Sequence, residues 1–526
     1  MHPSAPTTVR IVRSLALLAL VSCGTREFPP AAPDTVLVRV DNEDEGAAMV
    51  SYRVWDEAHD LVSDVLFDLR ERPNALNGVF EFTLGDDDET PAEFRGGLLE
   101  VETWDAAFCP RGRLVHAFRY ANAPAPERLT LSAPTSTAPC AAFFVAPEGS
   151  DETECTQDEP CREIATALER AEMHDERFII HVAGGSAPQE PSPVYEFVRP
   201  KRINRGGGPP NVIRAWPGRA APEPVVQARP RRACDTSNAD SCGPNTRCVD
   251  GFCAPGNAFD ICCQFDDSAP GDLEIDGFHT IEGRWSVEIN GAADITVRHC
   301  IIDGGGGRQG ESARTLPSGG VRVFLAPRTR LFHNLVRMSR EDPPASPVLA
   351  SGILIDGFDQ AANAAELARE NAAVLVANRI EDSQRAGVFI ANPNGPVQID
   401  GLSVCGSGGS ALEIARGSRD VFVRNLLAVR SDDESLDLGL NGESSPDMRV
   451  GADFTGRVSV ERSLLLSEGV AWTGEATVSG SVLNVEDAGE GNATALEAAV
   501  RVDGCLVGDV NESFGVCSAF PFCDAL

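Results

Sequence analysis

A short apolar pattern recurs along the second half of the chain at intervals of about two dozen residues. The alignment rests on one aliphatic position per repeat. That position is filled by Val297, Leu331, Val376, Ile399, Val423, Val460, Val478 and Val502. Two positions earlier lies a second column, formed by Ile295, Thr329, Val374, Val397, Val421, Val458, Ala476 and Val500. A chain that repeats one apolar phrase this often folds by stacking equivalent units on one another.

Each repeat holds two or three short strands and no obligatory helix. A second set of strands precedes the aligned ones, in phrases such as SVEIN, GILIDG, ALEIAR and SLDLGL. Propeller blades are longer, at about 40 residues, and the leucine-asparagine frame of leucine-rich repeats is missing. The period, the alternation and the inserts at turns favour a right-handed parallel β-helix, in which each coil adds about 4.8 Å. The predicted fold class is therefore mainly β, with this solenoid over residues 141–526.

Residue types that tolerate a positive φ angle follow the aligned position by two places. This turn column contains His299, His333, Asn378, Gly401, Asn425, Gly480 and Gly504. Glycine and asparagine, and to a lesser degree histidine, are the residues best suited to a left-handed backbone. We expect a tight bend between two strands of each coil. The two histidines are then interpreted as turn residues and not as metal ligands.

The segment before the repeats predicts a short amphipathic helix over residues 161–173. In EPCREIATALERAEM, four apolar residues recur at helical spacing, namely Ile164, Ala167, Leu168 and Ala171. An open solenoid end exposes apolar core and strand edges, and such a helix covers them. This passage resembles the first segment of bacterial parallel β-helix proteins of the pectin-lyase-like class. The resemblance implies a β-helix whose first coil is closed by the helix.

Residues 34–138 alternate apolar and polar residues in strand fashion, with turn-forming residues between the runs. Phrases such as TVLVRVDN, GLLEVETW and RLTLSAP are typical of half-buried strands. A string of short strands of this kind predicts a small antiparallel β-sandwich before the solenoid. Its acidic turns, DNEDEG and GDDDET, are solvated loops or, alternatively, calcium ligands.

The N-terminus has the features of an export signal. Arg10 and Arg13 precede the apolar run SLALLALVSC, which is too short to span a bilayer. LVSC resembles the bacterial lipobox, so residues 1–22 are predicted to be a lipoprotein signal peptide and Cys23 the lipidated residue, followed by a tether over residues 23–33. An ordinary cleaved signal with an incidental cysteine is the alternative. Lipidation would hold the protein at the outer membrane or cell surface through its acyl chains alone.

Sixteen cysteines in an exported chain indicate disulfide bonds. The pairs expected outside the cysteine-rich segment are Cys109–Cys140, Cys155–Cys161 and Cys517–Cys523. Cys300 and Cys505 directly follow the turn column, whereas Cys405 lies elsewhere in its repeat. Buried free thiols are expected at these three positions.

Residues 234–263 concentrate six cysteines in thirty residues, Cys234, Cys242, Cys248, Cys253, Cys262 and Cys263. A segment this short cannot hold a hydrophobic core without bridges. It is similar to the small cystine-stapled modules of extracellular proteins. A zinc site is the rival interpretation, and the export signal and the lack of a nearby histidine count against it. We interpret the segment as a disulfide-rich insertion between early coils.

The chain is strongly acidic, with a formal net charge of −34 and a single lysine, Lys201. This charge argues against nucleic acid as a partner and against electrostatic docking on anionic lipid. It suits a solvated exterior, or divalent cations held at acidic clusters. No cofactor follows with certainty from the sequence, and calcium is the one that its acidic clusters allow.

Catalytic residues are hard to place. Lyases of the pectin-lyase-like class use a basic residue beside a uronate, often with calcium, but Lys201 lies outside the clear coils. The GHG motif of polygalacturonase-type hydrolases does not occur.

The phrase RSDDESLDLGLNG faintly resembles the DDGID phrase of some β-helix lyases, and a polar turn before a strand is the alternative. Its acidic candidates are Asp432, Asp433 and Asp437. Trp285 and Trp472 are candidates for sugar stacking and equally for the core.

The sequence thus predicts a cell-surface lipoprotein that binds or scaffolds, with a glycan or a partner protein as its ligand. A polysaccharide lyase or glycoside hydrolase on the same fold is the first alternative. Adhesion through the cysteine-rich insertion is the second. Carboxylates shared by neighbouring coils in one groove would favour an enzyme, and a groove without them would favour binding.

Overall fold

The structure is a computed structural model of the 526-residue chain. It describes residues 36–42, 47–56, 58–71, 79–84, 97–118, 128–132, 140–174, 176–184, 191–196, 198–200, 210–228, 248–249, 252–253, 258–262, 271–281, 285–304, 318–337, 350–357, 373–383, 386–407, 409–429, 448–461, 463–465, 470–472, 476–479, 482–484, 500–503 and 506–508. The predicted signal peptide and tether lie outside these residues.

Seven strands form two small sheets at the start of the described chain. They are β1 Val36–Asp41, β2 Met49–Trp55, β3 Leu61–Asp68, β4 Val79–Leu84, β5 Gly97–Trp104, β6 Pro110–Phe118 and β7 Arg128–Ser132. A single 3-10 turn, Leu69–Glu71, follows β3. The strand orders are β4–β1–β7 and β3–β2–β5–β6. All pairs are antiparallel except β1 with β7, which is parallel.

The two small sheets pack face to face, as the predicted sandwich requires. Val38 and Val40 of β1 share one buried cluster with Val50 and Val54 of β2 and with Leu99 of β5. These side chains come from alternate positions of their strands, because successive residues of a strand point to opposite faces. The opposite face of β2 is buried as well, which shows that the sandwich itself is covered on that side.

The rest of the described chain consists of short strands and one helix, α1, over Ile164–Glu172. In chain order the strands are β8 Cys140–Val145, β9 Arg177–Val182, β10 Val194–Glu196, β11 Asn211–Ala215, β12 Val225–Gln227, β13 Cys248–Val249, β14 Phe252–Cys253, β15 Phe259–Cys262, β16 Gly271–Asp276, β17 His279–Ile281, β18 Trp285–Asn290, β19 Ala293–Arg298, β20 Ile301–Asp303, β21 Ser318–Phe324, β22 Thr329–Phe332, β23 Leu335–Arg337, β24 Ala350–Asp356, β25 Ala373–Val376, β26 Arg379–Glu381, β27 Val388–Ala391, β28 Val397–Asp400, β29 Ser403–Cys405, β30 Leu412–Gly417, β31 Val421–Arg424, β32 Leu427–Val429, β33 Met448–Phe454, β34 Val458–Glu461, β35 Leu464–Leu465, β36 Val470–Trp472, β37 Ala476–Ser479, β38 Val482–Asn484, β39 Val500–Asp503 and β40 Leu506–Gly508.

Apart from the β13–β14 hairpin, these strands build three parallel sheets. Sheet I runs β15–β18–β21–β24–β27–β30–β33–β36, sheet II runs β8–β9–β11–β16–β19–β22–β25–β28–β31–β34–β37–β39, and sheet III runs β10–β12–β17–β20–β23–β26–β29–β32–β35–β38–β40. From β15 to β38 the chain visits sheets I, II and III in turn, so neighbours within a sheet lie one coil apart in sequence. The fold is a parallel β-helix, as the repeat predicts.

The aligned apolar positions form one stacked column in sheet II. Val297 pairs with Leu331, Ile399 with Val423, and Val423 with Val460. All five side chains are at most 1% exposed. The pairing continues through the backbone of β37 and β39. Stacking aliphatic side chains in this way removes a continuous apolar column from water, which is the main stabilising contribution to a solenoid.

The alignment is wrong by one residue in the coil that contains β25. Leu331 pairs with Leu375 and not with Val376, and Ala373 takes the place expected for Val374. The segment AAVLVAN is apolar at every position of the strand. Alternation therefore does not identify which of its faces is buried, and only pairing with the neighbouring coils sets the register.

The bend after each sheet II strand has a left-handed residue. His299 has a φ of 51°, His333 of 50°, Gly401 of 72° and Asn425 of 52°. In the coil with the shifted register this residue is Ala377, with a φ of 51°, and not Asn378. The one-residue shift in the register of β25 explains why Ala377, and not the expected Asn378, has the left-handed backbone. Two further members of the turn column, Gly480 and Gly504, lie outside the described residues.

Asn378 has a different role, which it shares with Asn334 one coil earlier. Asn334 Oδ1 accepts the backbone N–H of Cys300 at 3.1 Å. Asn378 Oδ1 accepts the backbone N–H of Asn334 at 3.1 Å, and its Nδ2 donates to the carbonyl of Leu331 at 2.8 Å. Asn334 Nδ2 donates likewise to the carbonyl of Val297 at 2.9 Å. The amides thus satisfy buried backbone groups at the corner where strand pairing is interrupted.

Helix α1 covers the first coil of the solenoid. Its buried residues, Ile164, Ala167, Leu168 and Ala171, lie on one face. They belong to the same buried cluster as Phe143 of β8 and Phe178 of β9. The helix lies inside the predicted range 161–173 and supplies the apolar face that an open solenoid end needs.

The structure contains the disulfides Cys109–Cys140 and Cys155–Cys161, with Cα atoms 6.0 and 4.6 Å apart. The first joins the turn between β5 and β6 to the first strand of the solenoid. Cys300 is a buried free thiol. Cys405 is disulfide-bonded, so the expectation of a free thiol there is wrong. Cys505, Cys517 and Cys523 lie outside the described residues.

The cysteine-rich insertion lies between β12 and β15, where the chain passes from sheet III to sheet I. Cys248 and Cys253 face each other in its hairpin, whereas Cys234, Cys242 and Cys263 lie outside the described residues. The predicted end at residue 263 is wrong, because Cys262 ends strand β15, which pairs with β18. Phe259 and Ile261 of this strand are fully buried, so apolar alternation and not the cysteine count marks the boundary.

Among the described residues, no helix is long and apolar enough to cross a membrane.

We expect Asn334→Ala to destabilise the protein by about 2 kcal/mol, because it removes the amide that bonds to the N–H of Cys300 and to the carbonyl of Val297 in the preceding coil. The matched control is Asn392→Gly, which keeps a left-handed residue (φ 48°) at a position outside the asparagine pair. The control should change stability by about 0.5 kcal/mol or less. Urea unfolding of both variants measures the difference, and equal losses would contradict the role given to the amide.

Candidate functional site

The sandwich packs on the outer face of sheet II through a network of buried charges. Arg53 of β2 donates to Glu100 Oε2 and to Asp276 Oδ2, each at 2.6 Å. Arg298 of β19 also bonds to Glu100. All four side chains are at most 6% exposed. Strands of both domains therefore contribute to one ion-pair network at their interface.

The network extends along β5, β6 and sheet II. Arg214 Nη2 lies 2.5 Å from Glu102 Oε2, and Arg113 donates to Glu102 at 2.7 Å and to Glu274 at 2.8 Å. Burial opposes the charged form of Glu102, but Arg214 and Arg113 together lower its pKa to about 2. The carboxylates of Glu100, Glu102, Glu274 and Asp276 are thus balanced by four arginines. Removing one partner from such a network costs about 3–5 kcal/mol.

Glu100, Asp276 and His299 bring ligand atoms within 4.8 Å of one another, a spacing that a metal ion can use. Two guanidinium groups, those of Arg53 and Arg298, already bond to these carboxylates. Their positive charge opposes a second cation at the same oxygens. We therefore interpret the cluster as an ion-pair network that positions the sandwich, and not as a metal centre.

Histidines from both domains fill the rest of the interface. The rings of Trp55 and His299 stack with centroids 4.0 Å apart, and those of His59 and His333 stack at the same distance. Burial lowers the pKa of His333 and of His181 to about 3, and holds the pKa of His59 and His299 well below the ordinary value. The two histidines of the turn column thus also contact the sandwich, and all four rings are neutral.

A second polar cluster lies on sheet III, near Asp60 and Leu61 of the sandwich. His279 Nε2 and Asp303 Oδ2 are 2.7 Å apart, and Arg337 Nε donates to Asp303 Oδ1 at 2.8 Å. Glu223 precedes the strand beside His279, and burial raises the pKa of its carboxyl. His279, Asp303 and Arg337 are each between a quarter and two fifths exposed. A histidine oriented by a carboxylate beside a protonatable acid is an arrangement suited to acid–base chemistry.

The outer face of sheet I carries a straight row of six side chains, here called the sheet I row. Partner residues of successive strands compose it, namely Asp260, Glu288, Arg322, Leu354, Phe389 and Glu413. Strands are about 4.8 Å apart, so the row extends over roughly 24 Å. It presents carboxylates, a guanidinium and an aromatic ring in one line, with the buried Leu354 between the guanidinium and the ring.

The first part of the sheet I row is held in place by ion pairs. Arg322 Nη1 donates to Glu288 Oε1 at 2.6 Å, and its guanidinium lies 4.6 Å from the ring centroid of Phe324. Arg199 lies 3.5 Å from Asp260. Burial raises the pKa of Asp260 despite the opposing effect of Arg199. Fixed donors, acceptors and an aromatic face together are the groups that bind hydroxyl-rich ligands.

The structure places few of the residues that the sequence singled out. Asp432, Asp433 and Asp437 lie outside the described residues, as do Cys23 and Lys201. Trp285 is fully buried, so it is a core residue and not a stacking platform. The predicted strand SLDLGL lies outside the described residues, and the described strand that pairs with β30 is Met448–Phe454.

Sequence reasoning missed the interface network, although its residues are regular. Arg53 on β2, and Glu100 and Glu102 on β5, alternate with core residues of the sandwich. Charged residues at every second position are the usual sign of a solvated strand face. The alternation of charged and apolar residues was the signal that the sequence offered for this network. Because β2 is buried on both faces, its charged face is an interface and not a solvated surface.

Comparisons with protein-family models and with curated proteins give no match. Among solved structures, the chain is similar to the GH136 lacto-N-biosidase from Eubacterium ramulus, with 11% identity, a TM-score of 0.38, and 69% of this chain and 57% of that chain covered. It is also similar to the A-module of the mannuronan C-5 epimerase AlgE4 from Azotobacter vinelandii, with 9% identity, a TM-score of 0.29, and 71% and 87% covered. The surface adhesin PfbA of Streptococcus pneumoniae shows 8% identity, a TM-score of 0.29, and 64% and 79% covered. At these values the similarity concerns the fold alone.

We expect stability to fall as the pH drops from 7 to 5.5. The pKa of His181 and His333 is about 3 in the folded protein and about 6.5 when unfolded. The unfolded chain therefore binds more protons in this window, and each histidine removes about 1.4 kcal/mol at pH 5.5. The loss falls to about 0.4 kcal/mol per histidine at pH 6.5 and to about 0.2 kcal/mol at pH 7. The free energy of unfolding in urea, measured at several pH values, tests the sign.

The variant His333→Asn isolates the interface histidines in the same experiment. Asparagine tolerates the left-handed φ of this bend, so the turn is kept while the titrating group is removed. Its stability should decline less steeply with falling pH than that of the wild type. An identical slope in both proteins would contradict the assignment.

Proposed function

We propose that the chain is an exported, lipid-anchored protein that binds an extended glycan along the sheet I row. The observation that carries this proposal is the row itself, which aligns four charged side chains and one aromatic ring at one coil spacing over six successive strands, with the buried Leu354 at the remaining position. The coil spacing is close to the length of one sugar unit in an extended chain. Successive sugars can therefore meet successive side chains of the row.

The charge of the chain favours a neutral glycan over a polyuronate. The formal net charge is −34, and a polyanion would be repelled by a surface of this sign. Neutral hydroxyl groups, in contrast, accept from the guanidinium of Arg322 and donate to the carboxylates beside it. Apolar sugar faces can pack on an aromatic ring such as that of Phe389.

Export and anchoring rest on the N-terminal sequence and on the cysteines. The apolar run that ends in LVSC supports lipidation at Cys23, and the disulfides Cys109–Cys140 and Cys155–Cys161 suit an oxidising compartment. An anchored binding protein holds its ligand close to the membrane without a transmembrane segment.

A second candidate function is an enzyme that cleaves a glycan at the sheet III cluster. The contact between His279 and Asp303 and the raised pKa of Glu223 favour it, since they supply a base and an acid near each other. In such an enzyme Glu223 would donate a proton to the leaving oxygen, and His279 would accept one. The ion pairs of Asp303 also have a purely structural explanation, because they join consecutive coils.

Binding is tested with a panel of insoluble neutral polysaccharides (cellulose, xylan and mannan) and with pectate as the acidic comparison. We expect the mature protein to be retained by at least one neutral polymer and Arg322→Ala to lower the affinity at least tenfold. The control Arg330→Ala removes an exposed arginine from the outer face of sheet II and should leave binding unchanged. Retention by no polymer, or equal losses in both variants, would refute the proposal.

The enzyme alternative is tested by incubating the protein with the same polymers, with and without calcium, and assaying reducing ends and unsaturated products. We expect no products. Products that disappear in both His279→Asn and Glu223→Gln would establish the second candidate in place of binding alone. Products that disappear only in Asp433→Ala would assign the reaction to the acidic segment outside the described residues.

A further inference from the structure

A cleft of about 390 Å³ opens where the sandwich meets the first coils of the solenoid. Strand β3 forms one wall with Asp64 and Leu66. Gln157, in the loop closed by Cys155–Cys161, and the turn after β11, with Trp216 and Arg219, form the others. Sites between packed domains are common places for small ligands, and this volume lies within their usual range.

The polar groups of the cleft are held in fixed positions. Asp64 Oδ2 accepts the backbone N–H of Ala220 at 2.8 Å. The guanidinium of Arg219 lies 4.8 Å from the ring centroid of Trp216, and its Nη2 donates to Glu148 Oε1 at 2.6 Å. Burial raises the pKa of Asp64, which shows that the nearby cations do not fully compensate its charge. Asp64 Oδ1 is buried and accepts no hydrogen bond from the described residues, so the cleft is lined by a carboxylate with a free acceptor oxygen and by a guanidinium held in place by Glu148.

The contact between the two walls is close. Gly218 has a φ of 75°, and a Cβ atom there would lie 2.8 Å from Cβ of Leu66. Glycine therefore lets the turn of the solenoid approach strand β3, and the separation of Asp64 from Arg219 is set by the docking of the sandwich. The cleft exists only in the assembled two-domain structure.

The charges of the lining select the class of ligand. An anion would meet the carboxylate of Asp64, and a cation would meet the guanidinium of Arg219. A neutral ligand with two adjacent hydroxyl groups avoids both conflicts, since one hydroxyl donates to Asp64 while the other accepts from Arg219 or from the amide of Gln157. Leu66 and Trp216 supply apolar surface for the carbon atoms of such a ligand.

We propose that this cleft binds a neutral vicinal diol of the size of one sugar residue. The site is separate from the sheet I row and shares no residue with it. A protein that binds a polymer on the row would therefore hold a second, small hydroxylated ligand at the domain junction. If one of the two sites does not bind its ligand, the proposal for the other site still stands.

The test is a fluorescence titration of the mature protein with glucose, galactose, mannose, N-acetylglucosamine and myo-inositol. Trp216 is the reporter, because it lines the cleft. We expect a saturable change with at least one of these compounds, and at least a tenfold rise in Kd for Asp64→Asn. Asparagine keeps an acceptor for the N–H of Ala220, so the fold is preserved, and circular dichroism checks this.

Two further variants make the result decisive. Gln157→Ala changes an exposed side chain and should raise the Kd about threefold even if Asp64→Asn fails to fold. Arg322→Ala, on the sheet I row, should leave the Kd for the small ligand unchanged. The proposal is overturned by the absence of any saturable change, by equal affinity of Asp64→Asn and wild type, or by preferential binding of galacturonate or glucosamine.

Discussion

The hydrogen bonds between parallel strands of successive coils are the constraint on which the rest of this structure depends. They fix one spacing along the whole solenoid, so every position in a coil lies directly above its counterpart. The aliphatic column of sheet II, the left-handed bends and the paired amides of Asn334 and Asn378 all follow from that repetition. The sheet I row follows as well, since outward side chains are aligned by the same pairing.

Docking of the sandwich introduces chemistry that a solenoid alone would not have. Three arginines and four carboxylates are buried between the two domains, with Arg113 partly exposed at the edge, together with four neutral histidines. A buried network of this kind contributes little net stability over apolar packing, but a misaligned pair within it is costly. Its main effect is to allow one docked position. The stacked histidines make that position sensitive to acid, because protonating them would require breaking the interface.

The three surface sites occupy different parts of this arrangement. The sheet I row needs only the regular stack of coils. The cluster of His279, Asp303 and Arg337 also lies on consecutive coils, and the backbone of Leu61, the first residue of β3, bonds to Glu223 beside it. The cleft beside Trp216 depends on both domains, since Asp64 comes from the sandwich and Arg219 from the solenoid. Ligand binding at the cleft is therefore linked to docking, whereas binding along the row is not.

Local patterns in the sequence determined the parallel solenoid, its period, the bends at His299 and Asn425 and the helix over Ile164–Glu172, because each depends on residues near one another in the chain. Tertiary structure alone decided the register of Ala373–Val376, whose positions are all apolar. It also decided that Arg53, Glu100 and Glu102 are buried. Charged residues at alternate positions suit water and a charged partner surface equally well, and only the docked domain distinguishes the two.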